Sequence, residues 1–375
     1  MVNVTAHQTA DFTVAEHIDA PSLAPRREKA PCAPADILDV DHELECVTSL
    51  MQASISAPAS WPATQASLYH LDTGGSLLRA RLALLSGQAY GASKAHRTAA
   101  AAAAELVHNA SLVHDDLCDG DTIRRGKAAV WKRYNHHVAV CTGDLLLTTA
   151  FRAALESDRC EHRLALITLL TRQTSQVIAG QSIEVAPPAA RQETARQAYD
   201  NPPSLSAYLQ ATLAKTAPLI ALPLEAGALG GTVSGEQRLL LQRFAGAAGL
   251  AYQIIDDLDD IDLACPSRSQ PDAFHPYHAW PRHWPAGRPQ SDDAGARAVQ
   301  RAARHAASAL ARAEKITPCF PEGLGTTLRQ MLADLQRRLL SHLHAAALDR
   351  DRYHTTTRQR DRYQPCRQPY GERAS

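Results

Sequence analysis

The sequence predicts an all-α protein, a single domain of ten or more helices bundled around a deep cavity. Three observations predict it. The chain is rich in Ala and Leu and only 5% aromatic, a helix-forming composition. Every long periodic segment repeats its apolar residues at helical spacing, and no convincing strand alternation interrupts them. Two apolar helical runs end in aspartate clusters, and helical bundles host metal sites built from acids on facing helices.

The bulk properties exclude several classes. The chain has 375 residues and a formal net charge of zero, so no field draws it to nucleic acid or to an anionic membrane. No run of eighteen apolar residues exists, so no transmembrane segment is predicted. The eight cysteines lack CxxC or zinc spacing and read as reduced thiols of a cytoplasmic protein. No repeat of fixed period appears.

Taken in order, residues 1–35 are polar and proline-bearing and read as a disordered leader. The helical domain spans 36–348. Its first helix is carried by Ile37, Leu38, Leu44, Val47, Leu50 and Met51. A turn at Asp72-Thr73-Gly74-Gly75 precedes a helical run from Leu77 to Leu85. A strong helix covers Ala92–Val113, and others run from His136 to Leu155, His162 to Ile183, Leu205 to Gly227 and Gly235 to Asp262. Residues 265–293 form an atypical loop rich in Pro, His and Trp, without a lysine. Helical pattern returns over Ala294–Lys315 and Gly323–Leu348. Residues 349–375 are Arg-rich and polar and read as a disordered tail.

The chemistry concentrates at the aspartates. Asp115 and Asp119 stand four residues apart and project from one helix face. Like charges at that spacing repel unless a cation or proton lies between them, and the run before them is too apolar for an exposed face. A hard divalent cation with oxygen ligands answers both conditions, and Mg2+ readily adds substrate phosphates to its shell. About 140 residues later the pattern recurs in Tyr252-Gln253-Ile254-Ile255-Asp256-Asp257-Leu258-Asp259-Asp260. Arg124 and Arg125 follow the first cluster, and guanidinium groups suit diphosphate oxygens. Lys215-Thr216 lies mid-helix in an apolar run, where a lysine needs an anionic partner. The chain has six lysines, so one retained there carries information. His108 on its apolar helix reads by itself as a core histidine, and Arg79 with Arg81 as a solvated pair.

Together these pieces resemble the trans-isoprenyl diphosphate synthases, the polyprenyl synthetase family. Gly74-Gly75…Arg79, His108, DDLCD with Arg124-Arg125-Gly126-Lys127, Gly143-Asp144, Gly180-Gln181, Lys215-Thr216 and YQIIDDLDD occur in family order over roughly residues 70–262. The resemblance implies Mg2+ held by Asp115, Asp119, Asp256 and Asp260, with Asp116 and Asp257 supporting. It assigns an allylic diphosphate to Arg124 and Lys215, with Thr216 and Gln253 in the same binding set. It assigns isopentenyl diphosphate to Arg79, His108 and Arg125. It also implies a homodimer. Two positions depart from the pattern: Ser76 stands where the family has a lysine, and the loop after Asp262 lacks one.

The resemblance implies ionisation of the allylic diphosphate, condensation with isopentenyl diphosphate and loss of a proton. Two other functions remain open. One is a terpene-synthase-like enzyme that ionises an allylic diphosphate without condensation, which Ser76 favours. The other is a non-catalytic subunit of a heteromeric prenyl synthase, against which the intact aspartate clusters argue. Ala110 and Ser111, where the family controls chain length, are small. They predict a product longer than fifteen carbons, twenty being the first choice.

Overall fold

Residues 39–185, 205–259 and 292–360 are described by the computed structural model. They form eleven α-helices, one 3-10 turn and one two-stranded hairpin. The helices are α1 (Val40–Ala53), α2 (Pro62–Leu71), α3 (Leu78–Ala89), α4 (Lys94–Asp119), α5 (Val130–Arg133) and α6 (His136–Ala154). They continue with α7 (Cys160–Val185), α8 (Leu205–Ala228), α9 (Gly235–Asp259), α10 (Asp292–Ile316) and α11 (Glu322–Arg360). The predicted all-α bundle is what the structure shows.

Two apolar clusters hold these helices together. One gathers α1–α4, α6 and α7 around Leu44, Leu84, Leu106, Leu146 and Leu166. The other gathers α9, α10 and α11 around Phe244, Ile254, Leu310 and Leu328. Helix α8 belongs to both, with Leu219, Leu222 and Ala226 facing the first and Ile220, Leu224 and Ala228 the second. A helix apolar on both faces is a buried one. Its buried Glu225 accepts from Gln173 at 2.8 Å, Gln242 at 2.9 Å and Arg172 at 3.0 Å, so α7, α8 and α9 satisfy one carboxylate together. Glycines let α8 approach its neighbours. A Cβ at Gly227 would lie 2.1 Å from the Ala83 carbonyl of α3, and one at Gly180 of α7 would lie 2.5 Å from the Lys215 backbone nitrogen.

Three boundaries differ from the sequence reading. Helix α4 continues past Val113 to Asp119 and stops at Gly120, whose φ of +75° is the left-handed end that glycine adopts without steric cost. The acids of the first cluster therefore lie on its last two turns, on the helix where their spacing places them. The Arg124-Arg125-Gly126-Lys127 run is a hairpin: Ile123–Arg124 pairs antiparallel with Lys127–Ala128. Two residues per strand leave no alternation to read. Helix α11 runs to Arg360, past the point where a disordered tail was expected, because adding residues to an existing helix costs far less than nucleating one and Arg and Gln favour it. The leader and Asp260 fall outside the described residues, as does the Pro/His/Trp segment up to its last two positions. Those two, Asp292 and Asp293, begin α10.

Candidate diphosphate and metal site

The site is built where α3, the last turns of α4, the hairpin, α8, α9 and α11 converge. Asp115 lies 3.7 Å from the Lys215 ammonium of α8, and both side chains are mostly covered. Burial pushes the Asp115 carboxyl up, and Lys215 and Arg124 pull it back. Asp116 is 1% exposed. Arg124 donates to its Oδ1 through Nε at 2.7 Å and through Nη2, and also reaches Asp121 at 3.3 Å. Its other oxygen, Oδ2, is buried without a partner. Burial raises this carboxyl too. Asp119 is exposed at the helix end.

The second cluster is held from other directions. The Thr216 hydroxyl donates to Gln253 Oε1 at 2.7 Å, and Gln253 Nε2 donates to Asp257 Oδ1 at 2.8 Å. The Tyr208 hydroxyl donates to Asp257 Oδ2. Lys215 and Thr216 are neighbours on α8, yet one reaches the first cluster and the other the second. Arg338 of α11 donates to Asp256 Oδ1 at 3.0 Å and to Asp259, and His342 Nε2 lies 2.6 Å from Asp259 Oδ1.

A cationic pocket lies on the α2–α3 side of α4. Arg79 is buried, its Nε has no partner, and its guanidinium lies 5.8 Å from the Tyr252 ring centroid. On the same ring Arg338 sits at 5.7 Å. Buried His108 has an unpartnered Nδ1. Burial first, then Arg79 and Arg125, holds its imidazole well below the usual range. His70 of α2 is 1% exposed with an unpartnered Nε2. Burial, then Arg125, pushes it down to about 4.

Arg125 occupies left-handed backbone at φ +52°, followed by Gly126 at +76°, as a tight hairpin turn requires. For a non-glycine residue that conformation is strained, and such strain collects at functional sites. Arg125 donates to the Gly74 carbonyl and lies 3.4 Å from Asn109 Oδ1. At Gly75 a Cβ would lie 2.7 Å from the Arg125 guanidinium carbon, so the diglycine turn leaves that space open. Buried Glu105 accepts from the Ala80 amide at 3.0 Å and anchors the start of α3 against α4. A pocket of about 90 Å³ borders Gly74, Gly75, Asn109 and Arg125. Exposed Ser76 stands beside this turn, and the Lys127 ammonium donates to the Asp72 carbonyl at 3.1 Å.

A family model described as polyprenyl synthetase matches residues 62–265, more than half of the chain. The chain belongs to the polyprenyl synthetase family. It is 31% identical over 217 residues to a short chain isoprenyl diphosphate synthase of Methanothermobacter thermautotrophicus, covering 58% of this chain and 64% of that protein. It is 32% identical over 203 residues to a geranylgeranyl diphosphate synthase of Methanosarcina mazei, covering 54% and 59%. It thus matches somewhat under two thirds of the length of these relatives. The fold is shared with a polyprenyl synthase from Caulobacter crescentus (TM-score 0.65, 23% identity, 80% of this chain and 94% of that one). A geranylgeranyl pyrophosphate synthetase from Pyrococcus horikoshii shares it too (0.63, 20% identity, 78% and 96%).

Within this family frame, the sequence-predicted residues fall into two groups. Asp115, Asp116, Lys215, Thr216, Gln253, Asp257 and Arg124 are joined through α8 and the hairpin. Arg79, His108 and Arg125 gather in the cationic pocket. Gly143 and Asp144 lie beside α4: a Cβ on Gly143 would lie 2.2 Å from His114 Nε2, and Asp144 lies 3.5 Å from the same nitrogen. Ala110 is buried among apolar neighbours, while the Ser111 hydroxyl donates to the His108 carbonyl at 2.8 Å. The sequence reading missed Tyr208, His70, Asn109, Glu105, Arg338 and His342. His70 and Asn109 carried a signal, one lying a turn before the diglycine and the other beside His108. Arg338 carried none, lying 82 residues from Asp256. Among the described residues no helix is long and apolar enough to cross a membrane.

Proposed function

We propose that the protein is a Mg2+-dependent trans-prenyltransferase that joins an allylic diphosphate to isopentenyl diphosphate, giving a product of twenty or more carbons. One observation carries the reading: adjacent residues of α8 engage both aspartate clusters, beside a pocket in which Arg79 Nε, His108 Nδ1 and His70 Nε2 are buried without hydrogen-bond partners. Oxygen-only donors and the unpartnered Asp116 Oδ2 fit a hard cation. Asp115, Asp119 and Asp256, with Asp260, would hold Mg2+, which when bound stabilises negative charge on the departing diphosphate.

The chain's own groups do the rest. Arg124 fixes Asp116, and Tyr208 with Gln253 fixes Asp257, so neither carboxylate must be ordered during reaction. Lys215, paired with Asp115 at 3.7 Å, turns its ammonium to the allylic diphosphate. The C1–O bond of that substrate breaks, and its electron pair leaves with the diphosphate. Arg79, Arg125 and His108 orient isopentenyl diphosphate so that its double bond attacks C1. A proton is then lost to the released diphosphate and the double bond re-forms. Apolar side chains such as Val107 and Ala110 exclude the water that would quench the cation.

Incubation with Mg2+ and an allylic diphosphate, with and without isopentenyl diphosphate, tests this. Chain elongation only when both are present supports it. Hydrocarbon or alcohol formed equally without isopentenyl diphosphate identifies the terpene-synthase-like alternative. No turnover, with either substrate still bound, identifies a non-catalytic subunit. Asp115→Ala and Asp256→Ala each remove turnover while keeping the helical signal. The reading includes a cytoplasmic homodimer, for which light scattering of the purified protein measures the mass.

A further inference from the structure

A second group of ligating side chains lies at the other end of α4. His96 on its first turn, Asp158 in the α6–α7 connection and His162 on the first turn of α7 each place one ligand atom within 4.8 Å of the other two. Asp115 lies nineteen residues further along α4, about 28 Å at 1.5 Å per residue. The group is therefore no part of the diphosphate site.

Its details match those of a metal-binding histidine pair. His96 is fully buried. Its Nε2 lies 2.9 Å from the Ala226 carbonyl, which can only accept, so Nε2 carries the proton and Nδ1 keeps its lone pair. Metal-ligating imidazoles are oriented in this way, with the remote N–H given to a carbonyl. The lone pair on Nδ1 now faces the Ser157 hydroxyl at 2.9 Å. A Cβ on Gly230 would lie 2.2 Å from His96 Cδ2, so that glycine keeps room for the ring. His162 meets the His96 ring edge to face at 5.1 Å between centroids. Its Nδ1 is buried without a hydrogen-bond partner and lies 3.6 Å from Asp158 Oδ1, beyond hydrogen-bond reach.

We infer that His96, Asp158 and His162 form a binding site for a late first-row divalent cation, zinc first, which cross-links the start of α4 to the start of α7. Two nitrogen donors and one oxygen leave a position for water, a common zinc arrangement. Imidazole suits zinc, copper and nickel, whereas Mg2+ prefers oxygen, so the site and the aspartate clusters sort different cations. At metal–ligand distances of about 2.0–2.2 Å the ligand atoms must draw in from their present spacing. Asp158, in the connection rather than in a helix, makes that adjustment, and the cation replaces the Ser157 hydroxyl as the partner of His96 Nδ1.

The test uses the full chain, stripped with chelator and then held in millimolar Mg2+ to occupy the oxygen sites. Zinc is titrated by calorimetry and Co2+ by visible absorption, in wild type, His162→Ala and Asp158→Asn. Wild type should bind one more zinc per chain than His162→Ala. It should also show a Co2+ absorption band that the variant lacks, and should melt higher with zinc. Asp158→Asn, whose side chain is partly exposed and perturbs no core, should weaken zinc at least tenfold. Equal zinc stoichiometry in wild type and His162→Ala, or an equal zinc-induced rise in Tm in wild type and Asp158→Asn, overturns the assignment.

Discussion

Gly180→Ala tests whether the site depends on how closely α7 approaches α8. The new Cβ would lie 2.5 Å from the Lys215 nitrogen and 2.7 Å from the Ala214 carbonyl carbon, both backbone atoms that cannot rotate away. Relief to an ordinary contact of 3.4 Å moves the helices apart by about 0.9 Å, and overpacking of this kind costs about 1–3 kcal/mol. Alanine is the better helix former by about 1 kcal/mol, so the net loss is about 0–2 kcal/mol. At roughly 2–4 °C per kcal/mol for a domain of this class, Tm should fall by up to about 8 °C. Activity should fall further, because Lys215 is carried away from Asp115, and a misplacement near 1 Å can cost about a hundredfold. Gly246→Ala is the control. Nothing lies within 4 Å of its Cβ position, so only the propensity gain of about 1 kcal/mol remains. Thermal denaturation and kcat/KM for the allylic substrate measure both variants. If Gly180→Ala is as stable and as active as wild type, the close approach does not set the position of Lys215.

Four further outcomes are expected. Ser76→Lys should lower KM for isopentenyl diphosphate by about tenfold to a hundredfold, since a charged hydrogen bond contributes about 1.5–3 kcal/mol at ~1.4 kcal/mol per decade; an unchanged KM would mean that another cation already serves there. Arg338→Ala should lower the Mg2+ concentration for half-maximal activity by less than about fivefold, because the pair is 36% and 50% exposed and such pairs contribute about 1 kcal/mol at most. A higher requirement in that variant would show that Arg338 assists metal binding rather than competing with it. Ala110→Phe should shorten the main product seen by chromatography, and an unchanged distribution would place the channel floor elsewhere. His70 is depressed from 6.5 to about 4 in the fold, so the unfolded chain binds the extra proton between those values. Its contribution is complete above pH 6.5 and is lost as pH falls toward 4, about 3 kcal/mol in all; Tm of His70→Gln should fall less steeply over that window, and equal slopes would refute the assignment.

Much of the site was legible because its residues lie close along the chain. Asp115 and Asp119 share a face by helical spacing alone, and the apolar run before them announces a helix deep enough to need a cation. Lys215 stands out because the stretch ATLAKTAPLIALPL around its ammonium holds no acidic residue. The hairpin was not legible: two-residue strands are made by backbone pairing, and the left-handed Arg125 is a conformation that composition does not encode. The sequence reads Ser76 as a missing cation, yet the Lys127 ammonium reaches the same turn from the hairpin.

By itself, the sequence determined the all-helical bundle, the family and the two acid clusters, because helical periodicity and motif spacing are local properties. Only the tertiary structure decided which acids have partners. Asp116 is clamped by Arg124, Asp257 by Tyr208 and Gln253, and Asp256 with Asp259 by Arg338 and His342 from a helix some 80 residues away. It also decided that His96 meets Asp158 and His162, although 62 positions of sequence separate it from Asp158. Whether a buried charge is neutralised depends on what the fold brings within a few ångströms, and no periodicity along the chain records that distance.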